Sequence, residues 1–282
     1  MAAAQPAIDE YCVFGNPVEH SKSPWIHARF AELTGQRMRY GKRLVARDGF
    51  ARAVSEFRAH GGKGCNVTVP FKFESPALAT RLTPRAQLAQ AANTLRFEPE
   101  EVLADNTDGV GLVNDIRNNA GVDIAGVDLL VVGAGGAAAG LLGPLLEARP
   151  RRIAVSNRTQ PKAAALIERH SALAQRMGVE LRAPELTNLQ DSFDVVINAT
   201  ASSLVGDAVP VPARVLKRGA LACDLMYGPA AQGFMDWAAS HDAVPRDGLG
   251  MLVEQAAESF LLWRGVRPPS SRVLAELRAS LA

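Results

Sequence analysis

Residues 127–140 read VDLLVVGAGGAAAG, an apolar run that passes directly into a cluster of glycines and alanines. The apolar part lacks the alternation of a half-exposed strand and matches one buried on both faces of a parallel sheet. Gly133, Gly135 and Ala138 fit the spacing G-x-G-x-x-A. In such a turn the first glycine permits the tight bend and the second lets backbone N–H groups approach a pyrophosphate. The third small residue lets the following helix lie close to the strand. The helix N-terminus then directs its partial positive charge at the phosphates. A glycine turn alone is also compatible with a purely structural role, so its setting matters: a strand precedes it and a helix, to about Ala148, follows.

Working outward, RIAVSN (152–157) reads as the next strand and PKAAALIERHSALAQRM (161–177) as the next helix. VELRA, FDVVINAT, ALACDLM and AVPRDG are further strands, which makes a βαβ series and hence a doubly wound sheet. Where an NAD-binding unit places an acid at the end of its second strand, this chain has Asn157 and Arg158, with Thr159 and Lys162 close behind. An acid would repel a 2′-phosphate, whereas Arg158 forks onto its oxygens and Lys162 adds a point charge. The cofactor expected is therefore NADP. The plainer alternative is that the two cations only solvate a strand end, although a cation in a first helical turn opposes the helix dipole.

Upstream the pattern is mixed. YCVFG (11–15), MRYGKRLV (38–45) and CNVTVP (65–70) read as strands, the last stopped by Pro70. AANTLRF and VLADNTDG suggest a hairpin. Ser23-Pro24 reads as a helix start with Ser23 as cap; WIHARFAEL continues it and Gly35 closes it. FARAVSEFRAH reads as a helix closed by Gly61-Gly62, and VGLVNDIRNN as another. From Leu249 the chain reads as helical to its end.

The length suggests two domains. A net charge of +2, with no run of four basic residues, argues against nucleic acid or a membrane surface as partner. Leu129–Leu146 carries no charge over 18 residues, the lower limit for a spanning helix, but five glycines and Pro144 interrupt it. Cys12, Cys65 and Cys223 lack any C-x-x-C spacing and read as free thiols in a reducing compartment. The start, MAAAQPAIDEYC, has no basic patch and no apolar core, so it does not read as a signal peptide. His20 and His27 are seven apart, without ligand spacing, and no metal is expected. No G-x-S-x-G elbow is present.

Four polar clusters stand at strand ends and helix starts: EHSKSP (19–24), GCNVTVPFK (64–72), AANTL (91–95) and DNTDG (105–109). They offer Ser21, Ser23, Asn66, Thr68, Lys72, Asn93 and Asp108, a set rich in hydroxyls and amides that suits a small polyol better than a polyphosphate. Lys72 and Asp108 are the candidate acid and base; a lysine at its reference pKa of about 10.4 is a poor base without tuning. Each residue also has an ordinary reading. Ser23 serves as a helix cap, Asn66 and Thr68 as the polar side of a half-buried strand, Asn93 and Asp108 as turn formers, and Lys72 as a surface lysine.

Taken together, GNPVEHSKSPWIH, GGKGCNVTVPFK, AANTL, DNTDGVG, GAGGAA, NRT, INAT and DGLGMLVEQAA resemble the shikimate dehydrogenase family, in family order from Gly15 to about Gly265. The resemblance implies an N-terminal α/β substrate domain over 1–109, completed by helices of 249–282 that return to it. A Rossmann-type NADP domain would occupy 110–248. The implied activity is reversible reduction of 3-dehydroshikimate to shikimate, a step of aromatic amino-acid biosynthesis, in the cytoplasm. By the family's pattern Lys72 is the acid/base at the reacting oxygen and Asp108 pairs with it. Ser21, Ser23 and Tyr227 receive the carboxylate, and Asn66, Thr68, Asn93 and Gln255 bind the other polar groups. Gly133, Ala134, Gly135, Gly136 and Ala137 hold the pyrophosphate. Asn157, Arg158, Thr159 and Lys162 hold the adenosine end, while Thr200, Leu225 and Gly248 line the nicotinamide side. The partner expected is the small substrate, without nucleic acid or membrane; a homodimer is compatible. A quinate/shikimate dehydrogenase, which must admit one more ring hydroxyl, is the close alternative, and Lys22 and Arg158 count against it. A non-catalytic NADP-sensing protein is the distant one, and it would be expected to lack Lys72 and Asp108. The chain departs from the family's usual residues at Pro84, Gln90, Ala201 and Ser203.

Overall fold

The computed structural model describes residues 8–200 and 211–281. Ala201 and Ser203 therefore lie outside the described residues. Two compact units are present: one comprises the chain to Thr107 together with Gln255–Ser280, the other Asp108–Glu254.

The first unit is built on a six-stranded sheet. Its strands are β1 (Asp9–Gly15), β2 (Met38–Leu44), β3 (Gly62–Val67), β4 (Arg81–Leu82), β5 (Thr94–Phe97) and β6 (Val102–Asp105), in the order β2-β1-β3-β5-β6-β4. β1 is parallel to both its neighbours, and β5 and β6 form the expected antiparallel hairpin. Helices α1 (Ser23–Thr34), α2 (Phe50–Ala59) and α3 (Pro84–Ala89) belong to this unit. Phe14, Phe50, Phe57, Phe71 and Leu95 form its main core. Phe71 stacks on Phe50 at 4.6 Å and 4°, which anchors the short 3-10 turn Phe71–Phe73 that carries Lys72.

Local details correct the sequence reading. Ser23 is the first residue of α1 and caps nothing; Ser21 Oγ accepts the Ser23 N–H at 3.3 Å. Gly62 opens β3 instead of closing α2. β4 and α3 escape sequence reading because each is very short. Pro84 is the opening residue of α3, behind the capping Thr83, whose hydroxyl accepts from Ala86 N–H at 3.3 Å. Gln90 ends α3 at φ 51°, in the left-handed region where a side chain costs about 1–2 kcal/mol.

The second unit holds β7 (Asp128–Val132), β8 (Arg152–Ser156), β9 (Glu180–Arg182), β10 (Phe193–Asn198), β11 (Leu216–Asp224) and β12 (Val244–Arg246). They form one parallel sheet in the order β12-β11-β10-β7-β8-β9. Numbered from β7, this is the 3-2-1-4-5-6 order of a doubly wound dinucleotide fold, with its switch point between β7 and β10. α4 (Asp108–Asn114) runs into a π turn, Asp115–Asn119. α5 (Gly136–Glu147), α6 (Gln160–Met177) and α7 (Gln232–Ala239) follow in the crossovers. All five residues of β7 are buried, as the uninterrupted apolar run requires. At the N-terminal ends of the strands, Asp128 is 1% exposed and is paired with Arg151, Arg152 and Lys217, which ties β7, β8 and β11 together.

α8 (Leu249–Arg264) contains the division between the units, at Glu254/Gln255, and α9 (Ser270–Leu281) ends the chain. No described helix is long and apolar enough to cross a membrane.

His27, on α1, is fully buried among Phe30, Tyr40, Phe260 and Trp263, and neither ring nitrogen has a hydrogen-bond partner. Burial favours the neutral ring and pushes its pKa down to about 3. The unfolded chain therefore binds the extra proton between about pH 6.5 and pH 3. Stability that is present above the unfolded value is lost as the pH falls through that window. Between about pH 7.5 and pH 5 this term removes about 2 kcal/mol. Urea titrations should show the parent losing about that much more than His27→Phe over the same interval; parallel losses would contradict the assignment.

Candidate active site

In the first unit the polar clusters converge. Lys72 is half-buried on its turn; its carbonyl accepts from Ala92 N–H at 2.8 Å and from Ser75 Oγ at 3.2 Å. This fixes the base of the side chain immediately after β3. Asn66 on β3, Asn93 just before β5, and Gln255 on α8 are all at most 8% exposed. Asn66 Nδ2 faces the Asn93 carbonyl at 3.1 Å, Thr94 Oγ1 at 3.0 Å and Ser259 Oγ at 3.0 Å. Asn93 Oδ1 accepts from Thr107 N–H at 2.9 Å, which turns its Nδ2 toward Thr107 Oγ1 at 2.9 Å and Gln255 Oε1 at 3.4 Å. Thr94, Thr107 and Ser259 are fully buried and link these amides through their hydroxyls. These amide and hydroxyl side chains are themselves uncharged, so hydrogen bonds satisfy them. Ser21 and Ser23 lie together at the start of α1, and Thr68, half-buried, follows β3.

The sequence reading does not single out Tyr40, Thr94, Thr107 or Ser259. Ser259 carries a usable signal, since it stands one helical turn after Gln255 as the sole hydroxyl in EQAAESFLLW. Tyr40 carries none, because an aromatic residue in a strand reads as packing.

The second unit places the other expected residues at the C-terminal ends of its strands. Gly133 has φ +117°, and its N–H donates to the Ser156 carbonyl at 2.8 Å. A Cβ there would lie 2.9 Å from the Ala199 carbonyl, so the two loops at the switch point approach as closely as they do only because residue 133 is glycine. Gly135 is exposed and precedes α5, and a Cβ on it would meet only open space. Gly136 and Ala137 are half-buried and Ala138 fully buried, as close helix–strand packing requires. This is a backbone surface a pyrophosphate can reach, so the donor set fits a dinucleotide. At the end of β8, Arg158 and Lys162 are exposed and Asn157 Nδ2 donates to the Thr159 carbonyl at 2.9 Å.

A further polar arrangement supports Thr200, Leu225 and Gly248. Asn198 and Asp224, each 1% exposed, end β10 and β11, and Asn198 Nδ2 donates to Asp224 Oδ2 at 3.0 Å. Thr200 Oγ1 donates to Asn198 Oδ1 at 2.7 Å, and Met226 N–H donates to Asp224 Oδ1 at 2.8 Å. Gly248 N–H donates to the Met226 carbonyl at 2.8 Å, and a Cβ on Gly248 would overlap the Leu225 carbonyl oxygen. Below this, Arg246 holds Asp115 through two hydrogen bonds of 2.7 and 2.5 Å, fixing β12 to the π turn. Asp108, 4% exposed, opens α4, where a carboxylate suits the helix dipole. Tyr227, half-buried, follows β11. Among the described residues no group of three or more His, Cys, Asp or Glu is placed to hold a metal.

Comparison with known proteins agrees with this geometry. Residues 13–95 match the shikimate dehydrogenase substrate binding domain, 116–206 the shikimate/quinate 5-dehydrogenase model and 248–278 the shikimate 5'-dehydrogenase C-terminal domain. A protein of Acidovorax sp. (strain JS42) named shikimate dehydrogenase (NADP(+)) is 64% identical over 98% of both chains. The chain belongs to the shikimate dehydrogenase family. Among solved structures, an Ael1 enzyme from Pseudomonas putida is 44% identical, with a TM-score of 0.88 over 95% of this chain and 98% of the other. Shikimate 5-dehydrogenase from Thermus thermophilus, in complex with NADP(H) and shikimate, is 30% identical, with a TM-score of 0.85 over 97% of this chain and all of the other.

Proposed function

We infer that the chain catalyses the reversible NADP-dependent reduction of 3-dehydroshikimate to shikimate. The observation that carries this is full-length similarity, at 64% identity, to a protein named for that activity. The two-part polar architecture supports it: an uncharged hydroxyl and amide lattice in one unit and a dinucleotide turn in the other. NADP, when bound, supplies or takes up the hydride at C3 of the ring.

The chain's own residues then have the following proposed roles. Gly133 to Ala137 receive the pyrophosphate on backbone N–H groups, and Arg158 and Lys162, with Asn157 and Thr159, take the 2′-phosphate. Thr200, Leu225 and Gly248 border the nicotinamide. Ser21, Ser23 and Tyr227 hold the substrate carboxylate, while Asn66, Thr68, Asn93 and Gln255 hold its hydroxyls. Lys72 Nζ gives a proton to the oxygen that becomes the alcohol, and takes it back in the reverse direction. Asp108 keeps that ammonium in place and accepts from the adjoining hydroxyl. A wrong hydroxyl arrangement leaves buried partners unpaired, at about 1–3 kcal/mol each. Three buried free cysteines support a reducing, cytoplasmic setting. The partners are small molecules and not nucleic acid, and a homodimer is an assembly this reading accommodates.

Lys72→Ala should abolish turnover while calorimetry finds NADP affinity nearly unchanged; retained turnover would remove Lys72 from the reaction. Arg158→Asp should raise the Kd for NADP by about a hundredfold or more and that for NAD far less, as expected when a charge-assisted pair is replaced by a repulsive one. Equal losses for both cofactors would refute the 2′-phosphate assignment.

A further inference from the structure

The lattice in the first unit has a definite hydrogen polarity, and at Asn66 the Asn93 carbonyl sets it while Tyr40 completes it. The Tyr40 hydroxyl lies 2.7 Å from Asn66 Oδ1, and the other end of the amide faces three oxygens. One of these, the Asn93 carbonyl, only accepts, so the nitrogen of Asn66 must point at it. A flipped amide would set oxygen against oxygen. The two N–H hydrogens of Asn66 thus have three protein acceptors at 3.0–3.1 Å, which leaves none for a ligand. Oδ1 takes one hydrogen bond from Tyr40 and keeps a second lone pair. Burial disfavours the charged His27 ring and the Asn66 side chain partly offsets this, but neither ring nitrogen has a hydrogen-bond partner. His27 instead stacks on Tyr40 at 4.2 Å and 10°, which holds the phenol ring in place.

We propose that Tyr40 is a positioning residue: it locks Asn66 so that the site offers the substrate a hydrogen-bond acceptor, and so selects a ring hydroxyl over a carbonyl or carboxylate oxygen. Ser259 supports the same setting from the far side. Its hydroxyl accepts from Asn66 and meets Thr94 Oγ1 at 2.8 Å and Thr107 Oγ1 at 3.3 Å. This inference rests on the assignment of Asn66 to the shikimate site and adds the sense of the hydrogen bond it makes. Without the phenol hydroxyl, Oδ1 loses its fixed donor and only the contacts of the nitrogen hold the amide, so Oδ1 is placed less firmly, yet no group assigned to touch the substrate has been removed.

A double-mutant cycle tests this, with the parent enzyme's oxidation of shikimate by NADP as the control for the activity itself. Tyr40→Phe should raise KM for shikimate about tenfold, equivalent to about 1.4 kcal/mol, and leave KM for NADP unchanged. In an Asn66→Ala background the same substitution should change KM for shikimate less than about twofold, because the residue through which it acts is absent. Should Tyr40→Phe fail to fold, Ser259→Ala carries the test, with an expected rise of about threefold in the same KM alone. Equal effects of Tyr40→Phe with and without Asn66, a parallel rise in both KM values, or no rise in either variant would overturn the proposal. A parent that does not turn over shikimate would instead refute the activity and not the hydrogen-bond polarity.

Discussion

A buried polar group must find a partner, and this requirement shapes the substrate side of the chain more than any other interaction. Asn66, Asn93, Thr94, Thr107, Gln255 and Ser259 come from β3, the residue before β5, β5 itself, the turn after β6, and α8, yet each is at most 8% exposed. None of these side chains is itself charged, so hydrogen bonds answer for their desolvation. Many of their hydrogens are shared among themselves and the backbone, which narrows the number of arrangements. Such a lattice is rigid before any ligand arrives, which reduces the cost of ordering on binding. On the proposed reading it senses the direction of a hydrogen bond as well as its position.

The nucleotide unit depends on a different constraint, the close approach of backbone segments. Gly133 lies against the Ala199 carbonyl, and Gly248 against Leu225. Polar side chains then fix the loops that glycine has allowed to meet: Asn198 and Asp224 hold the ends of β10 and β11, and Arg246 with Asp115 secures the segment leading to Gly248. The cations at the end of β8 stand outside this framework, exposed, where on the proposed reading they discriminate between cofactors without contributing to folding.

Much of this is legible in the sequence for identifiable reasons. The β7 turn is readable because burial on both faces demands an unbroken apolar run and because small residues at fixed spacing have few other uses. Asn66 and Asn93 are readable as polar residues at strand ends and Gln255 through resemblance, and the structure explains their surroundings. What escapes is what has no local pattern. β4 and α3 are too short to show a period, and α7 lies within a stretch of mixed composition that hides it. Ser23 follows the rule for a cap, but the helix begins one residue earlier than the rule supposes, so Lys22 stands at the cap position and Ser21 Oγ accepts the Ser23 N–H. Tyr40, Thr94 and Thr107 act through partners distant in sequence, so only the fold brings their role into view.

On the proposed reading, an uncharged polar wall and a 2′-phosphate-reading turn serve one reaction. The most direct test compares initial rates for shikimate and quinate, each with NADP and with NAD, by nicotinamide absorbance. Shikimate with NADP should have by far the highest kcat/KM of the four combinations. Quinate or NAD performing as well as shikimate with NADP, or no oxidation of shikimate at all, would contradict that reading.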